Sequence, residues 1–554
     1  MSRLKQIFLL NLILLNLIYV SVVFAQQQDP KDLEQKEIAQ REVRKGSFTI
    51  LPNLPTLTAQ SETVPSSLQV MGLFFSKTTM TNVFADNPLF ANGPLNGRLY
   101  GANQSTTYRP NEDTQAFTEM RYISYLSYSP APTNGKLTLR AAFEIDGAFG
   151  DLSNTQQGNV GFGFNGDTVN IQTKRLSAKW QINSNWNLVA GLQPLADNAL
   201  DPAAAMPTDI MYGGTKMIFW GSDVAGFSLY GKTLDKKLSS RLGYYTLYSN
   251  HLNKPDDVTL MMLDVEWSMF DPIKAGLHIW YLKDRSQGKG TAFGVGPTSR
   301  LADYHGAVKV DSKGQAADID ALWLALDGSY SRWMSGSPLS LSGFVAMNWA
   351  DMRFKTKNLN AMADPTAPRN ASLIGIMAQG DALYRWGKND GDHISMSAIY
   401  ASGDQNPNDT TLSSVLTGNQ YGIPGSLYIT HRSLLLFPDP RSVNRQLSVV
   451  YDPSNLGYGV LGGSFNVAKD LIPDLLNLKL GTAMASSAAK PVDSSGKFVG
   501  WELNAEMIYR PAPFFFLGLH AGWLRYGQFL ENNTDRVPGS LPWVAYFSMT
   551  WLHF

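Results

Sequence analysis

The chain has 554 residues, with 46 lysines and arginines set against 46 aspartates and glutamates, so it carries no net charge. That balance excludes a nucleic-acid binder held by a basic excess, and the absence of cysteine excludes disulfides, thiolate metal sites and a cysteine nucleophile. A mean hydropathy of -0.16 excludes a protein made of membrane-spanning helices, but not a barrel, because half of each barrel strand faces the lumen.

The N-terminus reads as a secretory signal. Arg3 and Lys5 supply the charged region, residues 7–24 the apolar region, and Val23-Phe24-Ala25 a small-residue cleavage site before Gln26. Asn11 and Asn16 interrupt the apolar run, which argues against an uncleaved anchor helix. Residues 1–25 are therefore expected to be a signal peptide, and 26–66 a periplasmic segment and linker. Asp29-Pro30 can start a helix there. Leu33, Ile38 and Val43 do not build a core-facing stripe, so a short helix, a disordered lead and a partner-binding segment all remain open. Residues 47–66, rich in Pro, Thr and Ser, read as the linker.

From about residue 67 the chain repeats one pattern: an alternating segment, a tight turn, a second alternating segment, then a longer loop. In Lys136–Asp146, Leu137, Leu139, Ala141, Phe143 and Ile145 share one face, opposite Lys136, Thr138, Arg140, Ala142, Glu144 and Asp146. That period of two belongs to a strand. In Met262–Phe270, Leu263, Val265, Trp267 and Met269 oppose Asp264, Glu266 and Ser268. In Trp501–Arg510, Trp501, Leu503, Ala505 and Met507 oppose Glu502, Asn504 and Glu506.

Short turns are expected at 130–135, 183–185, 234–237, 271–272, 335–338, 387–391, 470–474 and 511–513. Longer connections are expected at 77–117, 148–167, 197–222, 250–258, 285–319, 351–370, 403–457, 488–498 and 527–542. The two kinds alternate, as in an outer-membrane barrel with short periplasmic turns and long extracellular loops. With Thr215–Trp220 and Gln446–Tyr451 assigned to loops, the count is about 18 strands, within roughly 16–20. Strands of about 12 residues suit a tilted membrane crossing better than a soluble sandwich or propeller. The chain ends Trp543-Val-Ala-Tyr-Phe-Ser-Met-Thr-Trp-Leu-His-Phe554, an aromatic, β-prone stretch suited to closing a sheet. Counting back from Phe554 places Leu552 and Tyr546 on the expected lipid-facing side, but Thr550 and Ser548 break that alternation. The face of Trp551, Met549 and Phe547 is just as apolar.

Three features carry a resemblance. They are the strand estimate, the stretch Ser402-Gly-Asp-Gln-Asn-Pro-Asn-Asp409 leading into the longest loop, and an ending in which Gly500-Trp-Glu-Leu-Asn-Ala-Glu-Met-Ile-Tyr509 precedes a short turn, a strand and Tyr526-Gly-Gln-Phe529. On these the chain resembles the outer-membrane porin class, and within it the alginate-export type of single-chain barrel, from about residue 67 onward. The resemblance implies an all-β transmembrane antiparallel barrel in the bacterial outer membrane, in contact with lipid and with the barrel-assembly machinery. A polyanion exporter should line its lumen with excess Lys and Arg. The faces opposite the apolar residues instead carry Lys136, Arg140, Arg175, Lys179, Lys274 and Arg385 against Glu144, Asp146, Asp264, Glu266, Asp381, Glu502 and Glu506. This near balance departs from alginate transport. It fits a modestly selective pore, or an interior braced by ion pairs and plugged by loops.

Asp404, Asn406 and Asn408 alternate as in a calcium loop, but Asp409 stands at position six and Val415 at position twelve, where Gly and Glu belong. Asx residues beside a proline more often build turns. His393 and Ser395 share a strand face, as a hydrolase pair would. Ile394, Met396, Ala398 and Tyr400 on the other face put that pair in the lumen, and no orienting group or oxyanion hole can be placed. His251, His278, His305, His431, His520 and His553 show no metal-ligand spacing, and no cofactor is expected. Trp180, Trp186, Trp267, Trp280, Trp501, Trp523, Trp543 and Trp551 fit aromatic girdles. A sugar-stacking track is the alternative, and only one of Trp280 and Tyr281 can face the lumen.

The reading is a monomeric or trimeric barrel passing small polar solutes, or an unidentified polysaccharide, down their gradient. Loops 77–117 and 403–457 are long enough to fold into the pore, and Arg140, Lys179, Glu144 and Glu266 are expected to shape its field. A barrel-anchored structural or adhesive surface protein is the second reading, and an outer-membrane hydrolase the third.

Overall fold

The structure is a computed structural model that describes residues 66–82, 114–149, 171–202, 220–249, 257–270, 272–286, 316–330, 337–355, 369–387, 389, 391–406, 410–416, 433–437, 439, 441, 443, 448–450, 453–491, 496–531 and 541–553. The signal and linker regions, the 83–113 loop and Asn408 lie outside them.

The strands in chain order are β1 (Ser67–Thr81), β2 (Gln115–Ser129), β3 (Leu137–Ala148), β4 (Ile171–Gln181), β5 (Trp186–Ala196), β6 (Trp220–Thr233), β7 (Leu238–Tyr248), β8 (Val258–Phe270), β9 (Ile273–Asp284) and β10 (Ala316–Tyr330). They continue with β11 (Leu339–Lys355), β12 (Asn370–Arg385), β13 (His393–Ala401), the two-residue β14 (Thr411–Leu412), β15 (Val460–Ile472), β16 (Leu476–Ser486), β17 (Phe498–Ala512), β18 (Phe515–Tyr526) and β19 (Trp543–His553). Leaving β14 aside, 18 strands pair antiparallel with their neighbours in order, with β13 meeting β15. The sheet closes where β1 pairs with β19, from Gly72 opposite His553 to Thr81 opposite Val544. Closure leaves no unpaired edge, the condition for a sheet to sit in hydrocarbon.

Short turns lie at one end and long connections at the other, as expected. The β2–β3 turn is short because Asn134 and Gly135 both adopt the left-handed conformation, φ 48 and 73, which suits Asn and Gly. Several strands run further than expected. β1 continues to Thr81 and β2 begins at Gln115, so 77–81 and 115–117 belong to the sheet; β10 takes in 316–319 and β11 reaches Lys355. Alternation persists in these stretches. It was hidden by the polar residues of the inward face, such as Lys77, Thr79 and Asp318. Residues 448–450 are not strand, in line with their assignment to a loop.

Each strand turns one face out. Leu176, Phe227, Leu326, Val345, Leu461 and Met484 are all more than half exposed. Such a continuous apolar exterior is intolerable in water and suited to lipid. Trp180, Trp267 and Trp551 lie on it near the short-turn end, and Trp523 near the long-loop end. Trp501, beside Trp523 with rings 6.4 Å apart, donates to Thr482 Oγ1 at 2.7 Å. No helix among the described residues is long and apolar enough to cross a membrane.

The structure settles the open facing of the last strand and overturns one expectation, that of Trp280. On β19 it is Phe547 and Trp551 that point outward, while Tyr546, Ser548 and Leu552 point in and are buried. The inward face there is polar at Ser548 because it meets His520 across the sheet interior, so the terminal alternation counted from Phe554 ran in the wrong phase. Trp280 is not part of a girdle; it is buried in the lumen, 0% exposed, beside His278.

The described parts of the connection from 402 to 459 pack against the inward face of the barrel wall, as a strap. Its first part is held at β10–β12. There β14 runs parallel to β12 at Ser372 and Leu373, Trp323 Nε1 donates to the Leu416 carbonyl at 2.9 Å and Leu416 N–H to Asn348 Oδ1 at 3.1 Å. Leu434, Leu435, Leu436, Phe437, Val449 and Val450 of the strap join Trp280, Trp323 and Met377 of the wall in one buried apolar cluster. Burying about 1.5–3 kcal/mol of transfer free energy per large side chain makes this cluster the main force seating the strap.

Candidate functional site: the lumen wall and its strap

The inward faces of the strands bring the predicted charged residues together, but as braces between strands. On β2–β4, Arg121 Nε and Nη2 donate to the two carboxylate oxygens of Asp146 at 2.8 and 2.6 Å. Glu144 takes Arg121 Nη2 and Lys174 Nζ, each at 3.3 Å. Arg140 reaches across to Asp201 at 2.9 Å. These pairs form because residues directly opposite on one face of antiparallel strands approach closely, and the β2–β3 register sets Arg121 against Asp146.

Asp264 is the centre of a second cluster. Arg241 donates to it through Nε and Nη2 at 2.9 and 2.6 Å. His278 Nδ1 meets its other oxygen at 2.7 Å, and Trp280 Nε1 donates there at 3.0 Å. The second ring nitrogen of His278 meets Asp327. Arg241, Asp264 and His278 are wholly buried.

The third cluster joins wall and strap. Glu506 meets Arg441, Lys479 and His520, the last at 2.8 Å through Nδ1. Asp439 accepts from Arg441 Nε at 2.8 Å and from the Tyr546 hydroxyl, with Lys77 Nζ 3.8 Å away. Arg121 also donates to the strap carbonyl of Val443 at 3.3 Å. Glu502 holds the strap backbone at 434–436.

His520 Nε2 faces Ser548 Oγ at 2.9 Å, giving Glu506, His520 and Ser548 the order of a hydrolase relay. The chemistry is not available. Arg441 Nη1 sits 3.0 Å from the same Nδ1, Glu506 is already shared with two cations, and the Tyr546 ring stacks on the imidazole at 4.3 Å. Ser548 lies between Lys77 and Gly518 in the ladder, which commits the nearby backbone N–H groups to the sheet and not to an oxyanion hole. His393 and Ser395 do lie on the inward face of β13, with Ser395 buried.

Of the other predicted residues, Asp381 accepts from Gln379 Nε2 at 2.9 Å and from the Ser397 hydroxyl. Arg385 lies opposite His393, Lys274 opposite Ser268 and Ser329, and Lys179 opposite Thr138 and Val189. The Arg175 guanidinium lies 5.6 Å from the Tyr125 ring centre, and Glu266 is buried on β8. Lys136 precedes β3 and is exposed in the turn. Asp404 uses its carboxylate to accept Asn406 N–H at 2.7 Å, Ser413 N–H at 2.8 Å and Ser413 Oγ at 2.9 Å. It builds an Asx turn at the strap's entry, and no metal-binding group of His, Asp and Glu occurs among the described residues.

The sequence balance of charge is not the balance at the lumen surface. Arg121 and Lys174 are 18% and 20% exposed, whereas Glu144 and Asp146 are 4% and 2%. Arg441 and Lys479 are 21% and 17% exposed above Glu506 at 4%. Three pairs do not follow this pattern: Arg140 with Asp201 at 9% and 14%, Arg241 with Asp264 at 0% each, and Lys77 with Asp439 at 4% and 3%. Around Glu144, Asp146 and Glu506 the carboxylates lie against the wall, and the longer Arg121, Lys174, Arg441 and Lys479 side chains reach past them into water.

Arg121, Arg241, Lys479, His278 and His520 were legible in principle, since each lies on the polar face of an alternating strand; Lys174 was not, because a register shift between β3 and β4 breaks the alternation there. Asp439 and Arg441 were not, because their roles depend on where the strap docks. Burial alone would raise the Asp439 carboxyl, but Arg441 and Lys77 beside it hold it below the usual carboxylate range. A depressed carboxylate stabilises the docked strap above its unfolded value and loses that contribution as pH falls through its folded value. Strap docking through Asp439 should therefore be constant between pH 5 and 8 and weaken only below about pH 4. Trypsin cleavage at Arg441 in the folded barrel, after acid pulses, reads it; release already at pH 5–6 would refute it.

No family model matches the chain, and no curated protein matches it. Among solved structures it is similar to OprD of Pseudomonas aeruginosa, at 12% identity and a TM-score of 0.44, covering 90% of this chain and 98% of that one. It is likewise similar to OccAB1 of Acinetobacter baumannii, at 10% identity and a TM-score of 0.45, covering 90% and 100%. A third similar structure is the outer membrane protein OpdK of Pseudomonas aeruginosa, at 9% identity and a TM-score of 0.44, covering 88% and 98%.

Proposed function

We propose that the chain is a passive outer-membrane channel for small polar solutes, with a preference for anions. The observation that carries this reading is the exposure asymmetry of the lumen ion pairs, in which the cations meet the water and the carboxylates lie behind them. A surface field of one sign lowers the barrier for the opposite ion. The closed sheet and its apolar exterior supply the membrane-spanning wall, and the strap narrows the bore.

Planar-bilayer recording of the purified barrel tests this. Stepwise channel openings are expected from the native chain, and larger ones after residues 417–432 are replaced by a short Gly-Ser linker. No current from either protein would overturn the channel reading in favour of a surface anchor. An acidic polysaccharide would meet the same cations. Block of the current by acidic oligosaccharides but not by small carboxylates would make such a chain the cargo.

A further inference from the structure

Inside the apolar cluster the strap makes a turn at 433–437 whose backbone polar groups have no access to water. Buried N–H and C=O groups must find partners. The carbonyls of Leu435 and Leu436 accept from Val449 and Val450 N–H at 2.8 and 2.9 Å. Phe437 N–H donates to Ser433 Oγ at 2.8 Å. The remaining N–H groups, of Leu434, Leu435 and Leu436, all converge on one side chain of the wall. They donate to the Glu502 carboxylate at 2.7, 2.9 and 2.6 Å. Asn504 Nδ2 adds a fourth donor at 2.8 Å. Glu502 is 0% exposed and no salt bridge is formed by it among the described residues. Its oxygens are met by three backbone N–H groups and the Asn504 amide, as in an anion-binding nest.

Inverting that arrangement gives its function. Consecutive N–H groups aimed at one point bind an anion, and here the anion is part of the barrel wall. We propose that Glu502 is the positioning residue that latches the strap to β17 and so sets the aperture and ion throughput of the channel. This rests on the channel reading above. Gln has nearly the shape of Glu, but it offers one acceptor oxygen and an amide group whose own N–H faces the strap donors. Ala leaves all three donors unmet. Either change disfavours the docked strap while leaving the ladder of β17 intact, because the Glu502 side chain takes no part in strand pairing.

The chain has no native cysteine, so one introduced thiol reports docking without any current being measured. Val450 is 0% exposed against the latched turn. Val450→Cys should react slowly with a water-soluble maleimide in the folded, heat-modifiable barrel. Adding Glu502→Gln should speed labelling at least tenfold, and Glu502→Ala further. In bilayers the same Glu502 variants should raise single-channel conductance or open-state noise. Unchanged labelling in folded Glu502 variants would overturn the latch. Faster labelling with no current from any variant would keep the latch and refute the channel reading instead. Faster labelling with native conductance would show that the latch does not set the aperture.

Discussion

Asp264→Ala is expected to cost the folded barrel about 3–5 kcal/mol, the usual loss when one member of a buried ion pair is removed. The carboxylate receives Arg241 twice, His278 and Trp280. Neither it nor the guanidinium has contact with water. Without Asp264 the Arg241 charge is left in a site walled by Tyr245, Met262 and the β7–β9 backbone, and the Trp280 N–H loses its acceptor. Urea unfolding in detergent micelles, followed by tryptophan fluorescence, measures the change. A loss below about 1 kcal/mol would mean the cluster is hydrated. Replacing both partners at once, Arg241→Met with Asp264→Leu, should recover a large part of the stability, since an apolar pair of similar volume needs no compensation.

Removing the water-facing cations should change which ion crosses the barrel. Lys174→Gln and Lys479→Gln are the informative pair, because each leaves its carboxylate an arginine: Glu144 keeps Arg121 and Glu506 keeps Arg441. The wall therefore stays neutralised while the charge offered to the bore falls. In a salt gradient the native channel should favour chloride over potassium, and the double variant should lose roughly two- to tenfold of that preference. Raising the ionic strength should shrink the difference, as screening requires. A native channel that prefers potassium would refute the claim that exposure, and not composition, sets its selectivity.

Much of the barrel could be read from the chain. The alternation of Leu137, Leu139 and Ala141 against Thr138, Arg140 and Ala142 located β3 and gave its facing, because lipid outside and water inside impose opposite demands on neighbouring residues. The eight short turns fell where Pro, Gly, Asn and Asp gather. Facing stayed open at β19, where both faces are aromatic and only cross-strand partners decide. It failed at Trp280, whose indole enters the lumen because Asp264 offers an acceptor there. The site was less legible than the fold. Alternation puts Glu502 on the polar face of its strand, but nothing in its neighbourhood announces that a loop more than 60 residues earlier in the chain supplies its donors. Charge counts along strands also cannot register depth. Glu144 and Lys174 count as equal and opposite, yet one is hidden and the other meets water.

The seam between β1 and β19 fixes the order in which this molecule can be made. Thr81 Oγ1 donates to the carbonyl of Trp543 at 2.6 Å, and Asn82 Nδ2 to that of Leu541 at 2.9 Å, across 462 and 459 positions of sequence. Bringing such distant ends together carries a loop-closure entropy of about 5 kcal/mol, before a constant term. Every other ladder of the closed wall joins strands nearer in sequence and costs less, about 3–4 kcal/mol across the long connections and little across the short turns. The sheet can therefore grow hairpin by hairpin, but it cannot seal until the final strand has arrived. Until then two raw edges face each other. The seam is therefore the last ladder that can form.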